Sequence, residues 1–242
     1  MFRIFYAESD ATLYEHEPKA NTGVDEILEI GKRLGIDGNN KLSRSLIKFN
    51  TSEILSVLNK YSIGLGSCKF ILNLSTCEAK GLPAEYNIEA KIAGQPFING
   101  TGFLSSSPIK TDGVRWEQPA VSWSLDSQVG SNWISGSQNI RVNNTSLYVT
   151  GSGTGGSWLY QSGSGLFNLS NFNQSFFHQP GLEENESFSY RPTDINMDVT
   201  DAIQLWVSGS AGQSIDNNGF LLKFSDSDES NNNPGFTRFF SR

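Results

Sequence analysis

The chain alternates apolar and polar positions with a period of two over much of its length, which predicts mostly β-strands. Residues 43–50, SRSLIKFN, show the clearest alternation, whereas residues 68–76 are almost continuously apolar at their centre, as in a strand inside a sandwich. Residues 24–32 fit either a strand or one amphipathic turn, and we assign a strand. The other predicted strands are at 2–15, 86–94, 146–150, 156–161 and 219–224.

Two short segments have the spacing of a helix instead. Residues 51–61 begin with Thr51 or Ser52 as a cap and carry an apolar face of Ile54, Leu55 and Leu58. Residues 199–208 place apolar side chains at i, i+3, i+4 and i+7, which is typical of a buried helical face: Val199, Ala202, Ile203 and Trp206. Asp198 is suited to cap the first turn of this helix, and Gly209 to end it.

Composition supports a folded all-β protein with many turns. Gly, Ser and Asn are abundant and supply turn positions, and 16 Phe, 5 Trp and 7 Tyr supply apolar bulk for a core. No linker or break in composition divides the 242 residues. We therefore expect a single domain over residues 1–242, with a long, decorated insertion at about 94–190.

Charge and cysteine content exclude several classes of partner. The net charge of −7, without a cluster of Lys and Arg, argues against binding to nucleic acid. No apolar run is long enough to span a bilayer, and the first residues lack the apolar core of a signal peptide. If residues 68–76 form one strand, Cys68 and Cys77 lie too far apart for a disulfide, so we expect free thiols and folding in a reducing cytoplasm.

Residues that could catalyse a reaction are few. His16 and His178 stand alone in the sequence, and no nucleophile-elbow pattern precedes a helix. The segment GSGTGG at 151–156 matches a dinucleotide fingerprint, but it leads into an apparent strand, whereas the fingerprint needs a helix. We therefore expect a protein that is not an enzyme and has no cofactor.

The segment SDSDES after residue 224 groups Asp226, Asp228 and Glu229 in one predicted turn. Carboxylates clustered near Asn side chains can bind Ca²⁺ through oxygen ligands. The spacing is not that of an EF-hand loop, and a solvated acidic turn explains the same pattern. A structural calcium ion is thus one of two interpretations.

An aromatic run lies in the predicted insertion and consists of Trp158, Tyr160, Phe167, Phe172, Phe176 and Phe177. Such rings can cover the edge of a sandwich as core, stack on sugar rings, or anchor a protein–protein interface. The residues alone leave these alternatives open.

Several segments in order resemble one family: SRSLIKF, then VRWEQP, then DVTDAIQLWVSGS, NNGFLLKF and TRFF. The order resembles DNRLRE-type β-sandwich domains, which are related to carbohydrate-binding modules of family ninety-six. A version found in virion proteins of large contractile-tailed phages is closer, because it also has an opening like residues 10–32 and an ending like residues 224–242. The resemblance covers most of residues 10–242.

The resemblance implies a jelly-roll-like antiparallel β-sandwich with one or two short helices and long Gly/Ser/Asn-rich loops. In such domains the short helix closes one end of the sandwich, so Val199, Ile203 and Trp206 would form a buried lid. The implied function is that of a structural component of a tailed-phage virion (tail, neck or capsid-associated), assembled in the host cytoplasm and binding other virion proteins, as a homo-oligomer or ring. The alternative is an adhesion module that binds a cell-surface glycan.

The resemblance also raises an expectation about the last strand. Resembling domains usually continue beyond a segment like TRFF into another strand. Without it, residues 236–240 would lie beside an open sheet edge, which soluble monomers rarely tolerate. We therefore expect either a longer natural chain or a neighbouring subunit that covers this edge.

Overall fold

The structure, a computed structural model, describes residues 2–83, 85–119, 132–142, 145–160, 183–189, 194–207 and 216–241. Strands predominate among them, since short apolar runs separated by Gly, Asn and Ser favour extended chain and turns. The strands are β1 (Ala7–Tyr14), β2 (Ile27–Leu34), β3 (Asn40–Phe49), β4 (Ile71–Leu74), β5 (Thr76–Lys80), β6 (Glu85–Ile92), β7 (Ser135–Val142), β8 (Thr145–Ser152), β9 (Ser157–Tyr160), β10 (Glu183–Ser189), β11 (Ile195–Asp198), β12 (Phe220–Phe224) and β13 (Gly235–Phe240).

Short helices interrupt the strands: α1 (Thr51–Lys60), α2 (Thr200–Val207), α3 (Asp226–Ser230) and a 3₁₀ turn at Leu65–Ser67. The helices predicted at 51–61 and 199–208 are confirmed. The cap of α1 is Asn50, not Thr51 or Ser52, because its side chain accepts hydrogen bonds from the amides of Ser52 and Glu53. Among the described residues no helix is long and apolar enough to cross a membrane.

Among the described residues, all strand pairs are antiparallel and form three sheets. The main sheet runs β10-β6-β12-β3-β2-β13-β5, and β1 pairs with β3 beside this path. Strand β3 organises the main sheet, since it pairs with β1 along most of its length, with β2 at its start and with β12 near its end. A three-stranded sheet, β7-β8-β9, and a two-stranded sheet, β11-β4, complete an all-β, sandwich-like fold, which confirms the predicted fold class.

Two apolar cores lie on the main sheet. Successive residues of a strand face opposite sides, so Leu222 of β12 joins one core and Leu221 the other. Residues from β2, β6 and β13 form the larger core with α1, α2, β4 and β11. The smaller core joins Leu13 and Leu46 to Trp116 and Trp133, which lie outside the strands.

One buried asparagine fixes the loop at 95–119 against the sheet. The side-chain amide of Asn21 donates to the carbonyl oxygens of Asn99 (2.6 Å) and Val114 (2.8 Å) and accepts from the amide of Gly102 (2.7 Å). A buried amide that satisfies three main-chain groups stabilises a segment that has no strand partner. This part of the predicted insertion is therefore an ordered cover of the smaller core.

The single strand predicted at 68–76 is wrong, because the chain forms two strands there. β4 pairs with β11 in the small sheet, whereas β5 pairs with β13 in the main sheet, and Ser75 separates them. One half of the apolar run pairs in the small sheet and the other half in the main sheet. The period-two pattern is the same for two short strands in series and for one long strand, so the sequence does not distinguish them. Cys68 lies after the 3₁₀ turn and Cys77 in β5, and both thiols are free.

The open edge expected beside residues 236–240 is also contradicted. Strand β13 is hydrogen-bonded on both sides, to β2 through Gly235–Phe240 and to β5 through residues 236–239. The C-terminal strand therefore lies inside the main sheet, and β5 is its neighbour towards the edge. The expectation holds only if the last strand in the sequence is also the last strand in the sheet. Here β13 pairs with β2, which is distant in the sequence, and therefore lies inside the sheet.

Candidate functional site

The three carboxylates of the predicted acidic turn lie on or beside α3 and have different protein partners. Asp226 lies 2.6 Å from the Lys223 ammonium, and Glu229 accepts two hydrogen bonds from the Arg44 guanidinium, at 2.8 and 2.7 Å. Asp228 accepts from the amide of Asn87 (2.9 Å) and the hydroxyl of the cap residue Ser225 (2.6 Å). Asp226 and Glu229 also share the Lys223 ammonium, whereas Asp228 has other partners, so the three carboxylates do not converge on one point.

The ammonium group of Lys32 is bound by oxygen atoms beside α3. Lys32 of β2 is buried, and its Nζ donates to the carbonyl oxygen of Asp228, to the carbonyl oxygen of Asn231 (2.7 Å) and to the side-chain oxygen of Asn231 (2.6 Å). An ammonium has three donors, so these three oxygens satisfy it. Burial lowers the pKa of Lys32, and the charges of Asp228 and Glu229 oppose that shift.

In the part of the chain that the structure describes, no three His, Cys, Asp or Glu side chains converge as metal ligands. The calcium site at Asp226, Asp228 and Glu229 stays a prediction, for which a chelator experiment is given in the Discussion. A protein cation already lies near these oxygens, so Ca²⁺ binding there would add less to the stability of the protein.

A cluster of charges extends from α3 across the buried face of the sheet. Lys223 of β12 is fully buried and lies 3.4 Å from Glu229 and 3.9 Å from Glu89 of β6, and Lys91 lies 3.2 Å from Glu89. Three basic and three acidic side chains balance in this charge cluster: Arg44, Lys91, Lys223, Glu89, Asp226 and Glu229. Buried charges of this kind are tolerated because they are paired.

The charge cluster keeps the Asp226 carboxylate ionised. Burial alone would raise the pKa of Asp226, but the hydrogen bond from Lys223 and the charges of Lys223, Lys91 and Arg44 lower it below its usual value. An acid that stays ionised at neutral pH is a poor proton donor. The ion pairs of the charge cluster therefore connect β3, β6, β12 and α3.

The aromatic run predicted from the sequence is described only at its start. The Trp158 ring is partly buried and lies 5.6 Å from both the Arg44 guanidinium and the Lys223 ammonium. Of Tyr160 the structure describes the main chain, as the last residue of β9. The other members of the run, Phe167, Phe172, Phe176 and Phe177, lie outside the described residues. Trp158 itself therefore contacts protein cations of the charge cluster.

The glycine-rich segment 151–156 is a turn between β8 and β9 that supports this cluster. Arg44 donates to the carbonyl oxygen of Gly155 (2.8 Å), and the amide of Gly155 donates to Trp116 (2.6 Å). Gly155 has φ +69°, and a Cβ there would lie 2.7 Å from the Trp116 ring. The segment leads into strand β9, as the sequence predicts. Because Gly155 has no Cβ, its main chain can lie close to the Trp116 ring.

The predicted lid residues Val199, Ile203 and Trp206 are all buried at α2. The Trp206 ring lies 4.8 Å from the Phe220 ring of β12, and the amide of Val199 donates to Phe70 (2.9 Å). Asp198 accepts from the amide of Thr200 (3.1 Å), as expected of a residue that caps the first turn. Gly209 lies outside the described residues. The helix covers the larger core beside α1.

The two histidines do not form a described site. His16 is exposed, its ring lies 5.1 Å from Tyr14, and burial and the charge of Arg33 lower its pKa. His178 lies outside the part of the chain that the structure describes.

A row of exposed apolar side chains lies just before β1 and was not recognised in the sequence. Phe2, Ile4 and Tyr6 are 85%, 61% and 72% exposed and alternate along the chain, and we call this row the N-terminal stripe. The sequence places these residues in a strand of 2–15 and makes no prediction about their exposure. The sequence does contain a signal for this exposure. Phe2, Ile4, Phe5 and Tyr6 place apolar side chains on both faces of the predicted strand, whereas a strand with one buried face needs them on that face alone.

Comparison of the chain with protein-family models, curated proteins and solved structures gives no significant match. The family that the sequence motifs resemble therefore stays a prediction. A proposal for function rests on those motifs and on the N-terminal stripe, which places three large, exposed apolar side chains in one short segment.

Proposed function

We propose that this protein is a non-enzymatic structural component of a tailed-phage virion that acts through protein–protein interfaces. The observation that carries the proposal is the N-terminal stripe. Aromatic and aliphatic side chains exposed in a contiguous row favour an interaction site, and aromatic residues are enriched at protein interfaces. Phe2, Ile4 and Tyr6 fit that description.

The order of sequence motifs supports the virion part of the proposal. The segment DVTDAIQLWV corresponds to α2 with its preceding residues, NNGFLLKF leads into β12, and TRFF lies in β13. These are the segments that resemble the phage version of the DNRLRE-type domain. In our proposal the chain belongs to the tail, the neck or a capsid-associated module, is assembled in the host cytoplasm, and is present as a homo-oligomer or ring with other virion proteins.

The alternative, binding of a cell-surface glycan, has less support from the described residues. A sugar platform needs an aromatic face open to solvent, and Trp158 is partly buried beside two cations. Free thiols at Cys68 and Cys77 agree with assembly in a reducing cytoplasm.

Analysis of purified particles tests the proposal. We expect mass spectrometry to find this chain in particles of the encoding phage, with a fixed stoichiometry relative to the major structural proteins. The isolated chain should give no specific signal on a glycan array. Absence from purified particles, together with saturable binding of one glycan class by the isolated chain, would establish the adhesion function instead.

A further inference from the structure

The N-terminal stripe belongs to a segment whose main chain has no strand beside it. Ala7, the first residue of β1, lies opposite Phe49, the last residue of β3. After Phe49 the partner chain turns into α1 at Thr51, so β3 does not reach residues 2–6. Residues 2–6 make no main-chain hydrogen bond with the described part of the chain.

The segment is nevertheless fixed to the body of the protein by its other face. Phe5 is partly buried and packs against the larger core. The Arg3 guanidinium lies 5.9 Å from the ring of Tyr61, next to α1. Because alternate side chains face opposite sides of an extended chain, these contacts direct Phe2, Ile4 and Tyr6 outwards. The segment thus presents an apolar face to solvent just beyond the paired part of β1.

The size of the stripe favours a short strand as the occupant. Its three side chains expose roughly 400 Å², at about 150–250 Å² for a large side chain. A stable interface between two folded proteins buries about 800 Å² on each partner. The stripe is too small for that, but it matches the few side chains that one added strand covers.

Charge indicates the chemistry of that strand. Arg3, on the face of the segment opposite to the stripe, and Lys60 both lie near the Tyr61 ring, at 5.9 and 5.5 Å, so the segment has two basic groups on that face in a chain of net charge −7. A strand with acidic residues complements them. A second copy would bring the same two cations to the contact.

We infer that residues 2–6 receive an extended peptide segment of another virion protein, with alternating apolar side chains and acidic residues, by strand addition. The main chain of residues 2–6 supplies hydrogen bonds, Phe2, Ile4 and Tyr6 contact the apolar side chains, and Arg3 and Lys60 pair with the acidic ones. This inference rests on the proposed function and gives its partner a chemical class.

Selection from a displayed library of random peptides on the immobilised 242-residue chain tests the inference. We expect enrichment of peptides that alternate apolar residues and carry Asp or Glu. The selected peptide should bind at least about tenfold more weakly to the Ile4→Asp variant, a loss of about 1.4 kcal/mol. Ile36→Asp is the matched control, because Ile36 is fully exposed in the β2–β3 hairpin and far from the stripe in sequence.

Peptides with N-methylated amides separate strand addition from simple apolar contact, since methylation removes main-chain donors. We expect N-methylation of alternate residues to abolish binding. Equal enrichment on wild type and Ile4→Asp, or selection of basic peptides, overturns the inference. So does a dimer in sedimentation that Ile4→Asp dissociates, because the occupant is then a second copy. If particles contain the chain but no peptide is selected, this inference fails and the proposed function stands.

Discussion

Glu29 carries its charge in the interior and shows how single residues stabilise this fold. Its side chain is fully buried and accepts hydrogen bonds from Arg33 Nε (2.8 Å), Arg238 Nε (2.8 Å) and the Ser43 hydroxyl (3.1 Å). Both guanidinium groups also lie over the Phe236 ring, at 4.3 and 4.9 Å. The carboxylate therefore connects β2, β3 and β13. If it is removed, the guanidinium groups of Arg33 and Arg238 lose this partner.

We expect Glu29→Gln to lower the free energy of unfolding by about 1.5–3 kcal/mol, because Arg33 and the Ser43 hydroxyl lose their carboxylate acceptor while Arg238 keeps Glu78. Urea denaturation of both proteins measures the difference. Glu8→Gln is the control, since the pair of Glu8 with Lys48 is about one-third exposed and such pairs contribute about 0–1 kcal/mol. Equal losses for the two variants would contradict the role assigned to Glu29.

Asp226 gives a prediction about pH. Its pKa is lower in the folded chain than in the unfolded chain, so its ion pair with Lys223 contributes stability above about pH 4 that is lost as pH falls through the folded pKa. We expect Asp226→Asn to destabilise the protein at neutral pH, and this difference from wild type to shrink in acid. Urea denaturation at a series of pH values measures it.

Asp25 provides a control of opposite sign. Burial raises the pKa of Asp25, although the hydrogen bond from the Leu104 amide lowers it in part. The difference between Asp25→Asn and wild type should therefore change with pH in the opposite direction. Parallel curves for the two variants would show that the ion pair of Asp226 does not determine its pH dependence.

Among the elements, α2 is the one for which sequence and structure agree most closely. Ala202, Ile203 and Trp206 are buried as their spacing predicts. We expect Trp206→Ala to cost about 3–5 kcal/mol in thermal or urea unfolding, as truncation of a buried aromatic does. Leu55→Ala on α1 is the control, because Leu55 is 38% exposed. A loss below about 1 kcal/mol for Trp206→Ala would contradict the lid role of α2.

Helix α3 supports a prediction about metal. Lys32, Arg44 and Lys223 already bind the oxygens of the acidic segment. We expect the melting temperature to stay the same when a calcium chelator is added and when excess Ca²⁺ replaces it. A melting temperature that falls in chelator and recovers with Ca²⁺ would establish the calcium site at Asp226, Asp228 and Glu229.

Strands and helices with a strong local period were predictable from the sequence, whereas their partners were not. The alternation of residues 43–50 identifies β3, and the apolar run GFLLKF identifies β12. The run at 68–76 failed because its two halves pair with β11 and β13, which are distant in sequence. Pairing depends on long-range contacts that no local pattern contains.

The charge cluster was missed for a related reason. Glu89, Lys91 and Lys223 alternate with apolar residues, so the sequence assigns them to a solvent-facing side of their strands. In the structure the Gly151–Gly156 turn and Trp158 cover that side. A polar stripe on a strand is buried when a distant segment folds over it, and only the three-dimensional structure shows that.

At the scale of the whole molecule, the sheets account for stability, and the stripe is the surface to which we assign the proposed interaction. Strand β13 inserts between β2 and β5, so the C-terminal strand is not the open edge. The unpaired extended segment lies instead at residues 2–6, beyond the end of β3. In the part of the chain that the structure describes, the main sheet ends at β10 and β5, and Phe2, Ile4 and Tyr6 form an exposed apolar row before β1.

Electron cryomicroscopy of purified particles of the encoding phage tests this account most directly. It predicts density for this chain at defined, repeated positions, with Phe2, Ile4 and Tyr6 covered by a strand of a neighbouring protein that pairs with residues 2–6. Particles reconstructed without this chain, or with the chain present and residues 2–6 exposed to solvent, would contradict it.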